Sequence, residues 1–183
     1  MKEIRLHGIG GLGTVKAGEM LVHAAVASGK YGNSIPFWDG SSHRQGAPVT
    51  SYVRLGDEKI RPKNQVYHPN CTLVLDPSLL ISAPVFDGLT ENSYFIVNTK
   101  AENGADLVKN PNVKTVAWLD ATSIALEMLG RPITNTIMLG AFVRATGWVD
   151  KDELEKVICR FFGEKNVETF RRGYNEVKLY TFE

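Results

Sequence analysis

Cysteine is scarce in this 183-residue chain. Cys71 and Cys159 stand far apart and neither belongs to a C-x-x-C. Alone, the chain therefore cannot hold a four-cysteine iron–sulfur cluster, and both residues read as reduced thiols of a cytoplasmic protein. An excess of charge is missing too: 21 Lys plus Arg stand against 20 Asp plus Glu, which argues against nucleic acid as the main partner. The first residues hold no apolar run of signal-peptide length, and no uninterrupted apolar run is long enough to span a membrane. No G-x-S-x-G elbow supports a hydrolase triad. His7, His23, His43 and His68 show no ligand spacing such as H-x-x-x-H, which argues against a zinc site.

What is present is concentrated at the start. A short apolar strand, about Glu3 to His7, runs into Gly8-Ile9-Gly10-Gly11-Leu12-Gly13-Thr14. Gly8, Gly10 and Gly13 satisfy G-x-G-x-x-G, a turn whose backbone N–H groups and following helix can face an anion. Behind it, Ala17, Met20, Leu21, Ala24 and Ala25 share one helix face, and Gly29 is a plausible stop. Tyr31 to Ile35 reads as a second strand ended by Pro36, and Phe37 to Ala47 as a polar loop. Val49 to Leu55 alternates as a half-buried strand does, with Lys59-Ile60-Arg61 as the returning arm of a hairpin.

Three further apolar runs read as buried strands: Cys71 to Leu75, Tyr94 to Val97 and Val113 to Leu119. Helices are expected from Asp76-Pro77-Ser78 toward Ser82, from Asp120 to Leu129, and over Thr136 to Ala145, Lys151 to Phe162 and Val167 to Lys178. The alternation predicts an α/β fold: a Rossmann-like three-layer α/β/α arrangement with a mainly parallel sheet and a β-hairpin excursion, formed by residues 1–183 as one domain.

The glycine turn has two readings. It cradles a phosphate, or it is a tight strand-to-helix turn that binds nothing. No acidic residue lies between Ser28 and Trp38 to hold a ribose hydroxyl, which weighs against nicotinamide cofactors. In a parallel sheet the carboxyl ends of the first two strands adjoin, which would set the loop around Arg44 against the glycine turn. Arg44 then gives a bidentate contact to phosphate or carboxylate, or forms a salt bridge at a subunit contact. Asp76 and Asp120 each precede a polar helix start, where N-capping explains them, and Asn135-Thr136 reads as a capping pattern of the same kind. The residues assemble no self-sufficient active site.

Taken in order, several segments resemble the gamma subunit, or gamma domain, of 2-oxoacid:ferredoxin (acceptor) oxidoreductases, the pyruvate synthase group. They are the Glu3-to-Gly13 opening, Gly29-Lys30-Tyr31, Arg44-x-Gly46-Ala47-Pro48-Val49, Ile60-Arg61 and Leu75-Asp76-Pro77-Ser78-Leu79-Leu80. Val97-Asn98, Asp120-Ala121-Thr122, Asn135-Thr136-x-Met138-Leu139-Gly140-Ala141 and Arg172-Gly173-Tyr174 continue the series. The resemblance implies a Rossmann-like unit of a cytoplasmic hetero-oligomer in anaerobic metabolism. That enzyme decarboxylates a 2-oxoacid oxidatively, usually to an acyl-CoA, and passes electrons to ferredoxin. Thiamine diphosphate and iron–sulfur clusters are then expected on alpha, beta and delta subunits. Coenzyme A is the candidate ligand here, at Gly8, Gly10, Gly11, Gly13, Thr14 and Arg44. Ile9, Leu12 and His43 stand where many relatives carry Arg, Gln and Glu; each lost charge-assisted contact would weaken CoA binding by about 1.5–3 kcal/mol. The competing readings are an autonomous NAD(P)-binding reductase and a purely structural assembly subunit.

Overall fold

A computed structural model describes residues 1–38 and 45–183. The chain opens with β1 (Lys2–Ile9) and α1 (Thr14–Ala27), followed by β2 (Tyr31–Trp38) and β3 (Pro48–Gly56). Next come β4 (Cys71–Val74), the single-turn α2 (Leu79–Ser82), β5 (Ser93–Asn98) and β6 (Val113–Leu119). Helices α3 (Ala121–Leu129), α4 (Asn135–Thr146), α5 (Lys151–Phe162) and α6 (Glu164–Glu176) follow, and β7 (Lys178–Thr181) ends the series.

The seven strands form one sheet in the order β2-β3-β1-β4-β5-β6-β7. The α/β class is as expected, but parallel pairing is confined to the centre, β1-β4-β5-β6. Both edges are antiparallel: β2 with β3, β3 with β1, and β7 with β6. The hairpin therefore joins β2 to β3. No strand covers Lys59-Ile60-Arg61. Strand β2 also runs past Pro36 to Trp38; at the sheet's edge only half the amides need partners, so a residue without N–H is tolerated.

Side-chain alternation divides the core. Ile4, Leu6, Val53, Leu73, Ile96 and Leu119 meet α1 and α3 through α6 on one face. Val74, Phe95, Val97, Val116 and Trp118 face the other way, where α2 and its flanking loops give a thinner cover. The layers are thus unequal, since all the long helices gather on one face. Cys71 is buried in the thick core, which pushes its thiol pKa up and leaves it unreactive.

Asn98 joins the carboxyl ends of the parallel strands. Its Nδ2 donates to the Leu75 carbonyl (2.9 Å) and the Thr122 hydroxyl (2.8 Å), and its Oδ1 accepts the Ala121 N–H (2.9 Å). Asn98→Ala strands that N–H in the interior and takes away one of the two donors to that carbonyl, which keeps the Thr134 hydroxyl. The expected loss is about 2–3 kcal/mol, read as a lower urea midpoint at unchanged m-value.

Candidate functional site

Strand β1 delivers the chain into a turn that only glycine can make. Gly11 and Gly13 sit at φ +85° and +88°, in the left-handed region. A methyl at Gly8 would overlap the Thr14 hydroxyl, so the strand end and the helix start can touch only without a side chain there. A Cβ on Gly11 would come within 2.9 Å of Gln45 Cγ, and one on Gly13 would strike the Asn135 amide. The turn is also pinned by the chain beyond the loop: Gly10 N–H donates to the Ala47 carbonyl (2.7 Å), and Gly46 N–H donates to the Gly10 carbonyl (3.0 Å).

The expected neighbourhood of glycine turn and loop exists, but by a different route. Strand β3 lies between β1 and β2 and pairs Pro48 with Ile9, so its amino end carries Gln45, Gly46 and Ala47 to the turn. The dinucleotide arrangement, with a parallel second strand directly beside the first, is therefore absent. Arg44, His43 and Asp39 lie outside the described residues.

Helix α1 begins at this turn with Gly13 as its cap, no side chain satisfying its first N–H groups and no acidic residue in its first turn. An uncapped helix start concentrates unpaired N–H dipoles and favours an anion. A cleft of about 390 Å³ opens over it, lined by Gly10, Gly11, Gly13, Thr14, Lys16 and Trp38 among others. Lys16 stands at its rim, its Nζ 2.7 Å from Glu19 and both side chains substantially exposed. Inference from the sequence missed this cation; its place in the first turn of the helix was the available signal.

Not every candidate faces the cleft with its side chain. Thr14 is buried, with its hydroxyl unpartnered against Gly8, so its main chain is what it offers a ligand. The Gly10 N–H is spent on Ala47. Asn135, read as part of a cap, accepts the Thr136 N–H on Oδ1 (2.8 Å) at the start of α4 and also donates from Nδ2 to the Gly13 carbonyl (3.4 Å), fastening the turn to that helix. Its neighbour Thr134 donates to the Leu75 carbonyl (2.9 Å). Asp120 does cap α3, accepting the Ser123 N–H at 2.9 Å, and Asp76 accepts the Ser78 N–H at 2.9 Å. Among the described residues no group of three or more His, Cys, Asp or Glu side chains is placed to hold a metal ion, and no helix is long and apolar enough to cross a membrane.

A mixed α/β sheet with antiparallel edges, whose first strand passes through a glycine turn into an uncapped helix, defines a Rossmann-like α/β protein. The chain belongs to the pyruvate ferredoxin/flavodoxin oxidoreductase family, which it matches over residues 3–176. It is 45% identical to the pyruvate synthase subunit PorC of Methanothermobacter marburgensis, covering 97% of this chain and 98% of that protein. It is 44% identical to the pyruvate/ketoisovalerate oxidoreductases common subunit gamma of Pyrococcus furiosus, covering 98% and 99%. Its fold resembles the crystal structure of the pyruvate oxidoreductase subunit PORC of Thermotoga maritima, with a TM-score of 0.83, 38% identity and 97% of both chains covered.

Proposed function

We propose that this chain is the gamma subunit of a 2-oxoacid:ferredoxin oxidoreductase, inactive alone, and that its glycine turn holds the phosphates of coenzyme A. The observation that carries the reading is the uncapped start of α1, with Lys16 at the rim of the cleft beside Gly11 and Gly13. The main-chain N–H groups of Gly11, Gly13 and Thr14 would face a phosphate, with Lys16 and, from the neighbouring loop, Arg44 adding charge. Gly8 and Gly10 shape the turn. Coenzyme A, when bound, supplies the thiol that takes up the acyl group. Lys16 compensates in part for the cation absent at Ile9.

The remaining chemistry falls to partners. With two cysteines, one of them deep in the core, the chain leaves iron–sulfur clusters and thiamine diphosphate to alpha, beta and delta subunits of a cytoplasmic complex. A relative named as common to pyruvate and ketoisovalerate oxidoreductases supports substrate choice residing in those other subunits. One observation favours a second reading, an assembly subunit whose turn binds nothing: the Gly10 N–H and the Thr14 hydroxyl are committed to packing. An NAD(P)-dependent reductase is disfavoured by β3 intervening between β1 and β2.

Reconstitution tests the assignment. Partner subunits alone are expected to lack 2-oxoacid-dependent ferredoxin reduction, and adding this chain should restore it. NAD(P)H-linked turnover by this chain alone would overturn it.

A further inference from the structure

The sheet face opposite the long helices carries a polar pocket that the glycine cleft does not use. Ile4 and Leu6 point into the helix-side core, so Arg5 and His7 point the other way. Register places Tyr52 opposite Arg5 and Thr50 opposite His7 on β3. Helix α2 and the Ala83-Pro84 turn stand over them and leave a cavity of about 240 Å³, with Phe37, Leu79 and Pro84 among its apolar walls.

Arg5 and His7 are only 7% and 5% exposed. One guanidinium nitrogen of Arg5 donates to the Asp87 carbonyl, but its Nε has no acceptor, and neither has His7 Nε2. Thr72, opposite Arg5 on β4, is likewise buried with an unpartnered hydroxyl. Asp87 acts on Arg5 electrostatically without forming an ion pair, and among the described residues no carboxylate closes on the guanidinium. A buried cation with unused donors is costly unless an anion meets it.

The anion's shape follows from the walls. A planar carboxylate can pair with the Arg5 guanidinium and lets a short hydrocarbon lie against Phe37, Leu79 and Pro84. A phosphate would press its remaining oxygens on those same apolar surfaces. We propose that this pocket binds a short-chain monocarboxylate, the Arg5 guanidinium supplying the charge and His7 standing beside it as a neutral neighbour. Burial and the nearby Arg5 hold the His7 pKa down to about 3, so the imidazole is neutral near pH 7. The Thr50 hydroxyl lies 3.5 Å from Nδ1; donation from it to that nitrogen leaves the proton on Nε2. This site stands apart from the coenzyme reading and does not depend on it.

The full-length chain with ¹⁵N-labelled histidine tests the proposal by titration with butyrate, with neutral butyramide and inorganic phosphate as controls. The His7 Nε2 resonance is expected to move and saturate with butyrate and to ignore both controls. Arg5→Met should weaken the apparent affinity about tenfold or more. Should that variant not fold, Ser82→Trp on the exposed rim leaves Arg5 and His7 in place and should abolish the response by filling the mouth. A His7 resonance unmoved by butyrate at tens of millimolar overturns the site. So does an equal response to butyramide, or a butyrate response that survives both variants.

Discussion

Gly173→Ala is expected to destabilise the chain by about 3 kcal/mol or more and to lower its melting temperature by roughly 10 °C. The reason is the crossing of α4 and α6, where the two main chains approach closely. A Cβ on Gly173 would fall on the Ile137 carbonyl oxygen and lie 2.7 Å from its carbonyl carbon. From the other side, a Cβ on Gly140 would fall on the Phe170 carbonyl oxygen and lie 2.6 Å from the Tyr174 nitrogen. Both obstacles are main chain, so no side chain can swing aside and the helices must separate. Separation would open the core around Ile137, Ala141, Val167 and Phe170 and loosen the buried Thr136–Thr169 hydroxyl pair, now 2.7 Å apart. The two glycines share one contact, so the double alanine variant should cost less than the sum of the singles. Differential scanning calorimetry reads this directly; an unchanged transition in Gly173→Ala would contradict so close a crossing.

Acid should unfold the chain earlier than its surface charges alone suggest, and His7 is the cause. Its pKa falls from 6.5 to about 3 in the fold, first through burial and then through the Arg5 charge. Between those values the unfolded chain binds a proton that the folded chain refuses. Stability is therefore complete above pH 6.5 and declines as the pH falls toward 3, by at most about 1.4 kcal/mol per unit. Glu155 acts in a separate window. Its carboxyl is held low chiefly by the hydrogen bond from Arg171, so its contribution is lost only below its usual 4.5. Urea unfolding of the native chain and of His7→Gln between pH 7 and pH 5 should give a sloping line for the first and a flatter one for the second. Parallel lines would contradict a buried neutral imidazole.

Much of the architecture was legible because it rests on periodicity. The apolar runs at β4, β5 and β6 became the parallel centre of the sheet, and the five spaced residues of α1 became its buried face. The edges were not legible. Strand direction depends on which neighbour a strand finds, and nothing local to Tyr31–Trp38 says that β3 inserts between it and β1. Strand β2 continues through Pro36, where a stop is expected, because an edge strand tolerates a residue without N–H. The four residues of β7 are all exposed and lack the alternating burial that reveals a strand.

The glycine turn was legible by type, since positive φ and close approach leave few other residues possible at Gly11 and Gly13. Its partners were not. Asn135 lies 122 residues away from Gly13, and a hydrogen bond at that separation leaves no trace in spacing. Arg5 and His7 appeared as ordinary members of the first strand; only the register against β3 and the thin cover of α2 show them sharing a pocket.

The most direct test of the central claim is calorimetric titration of coenzyme A into the assembled oxidoreductase, with NAD as control, carrying the native chain, Lys16→Glu or Arg44→Ala. The account predicts saturable coenzyme A binding that each substitution weakens about tenfold or more, and no NAD heat. Equal coenzyme A affinity in all three complexes would place the coenzyme on another subunit and leave the glycine turn a packing device.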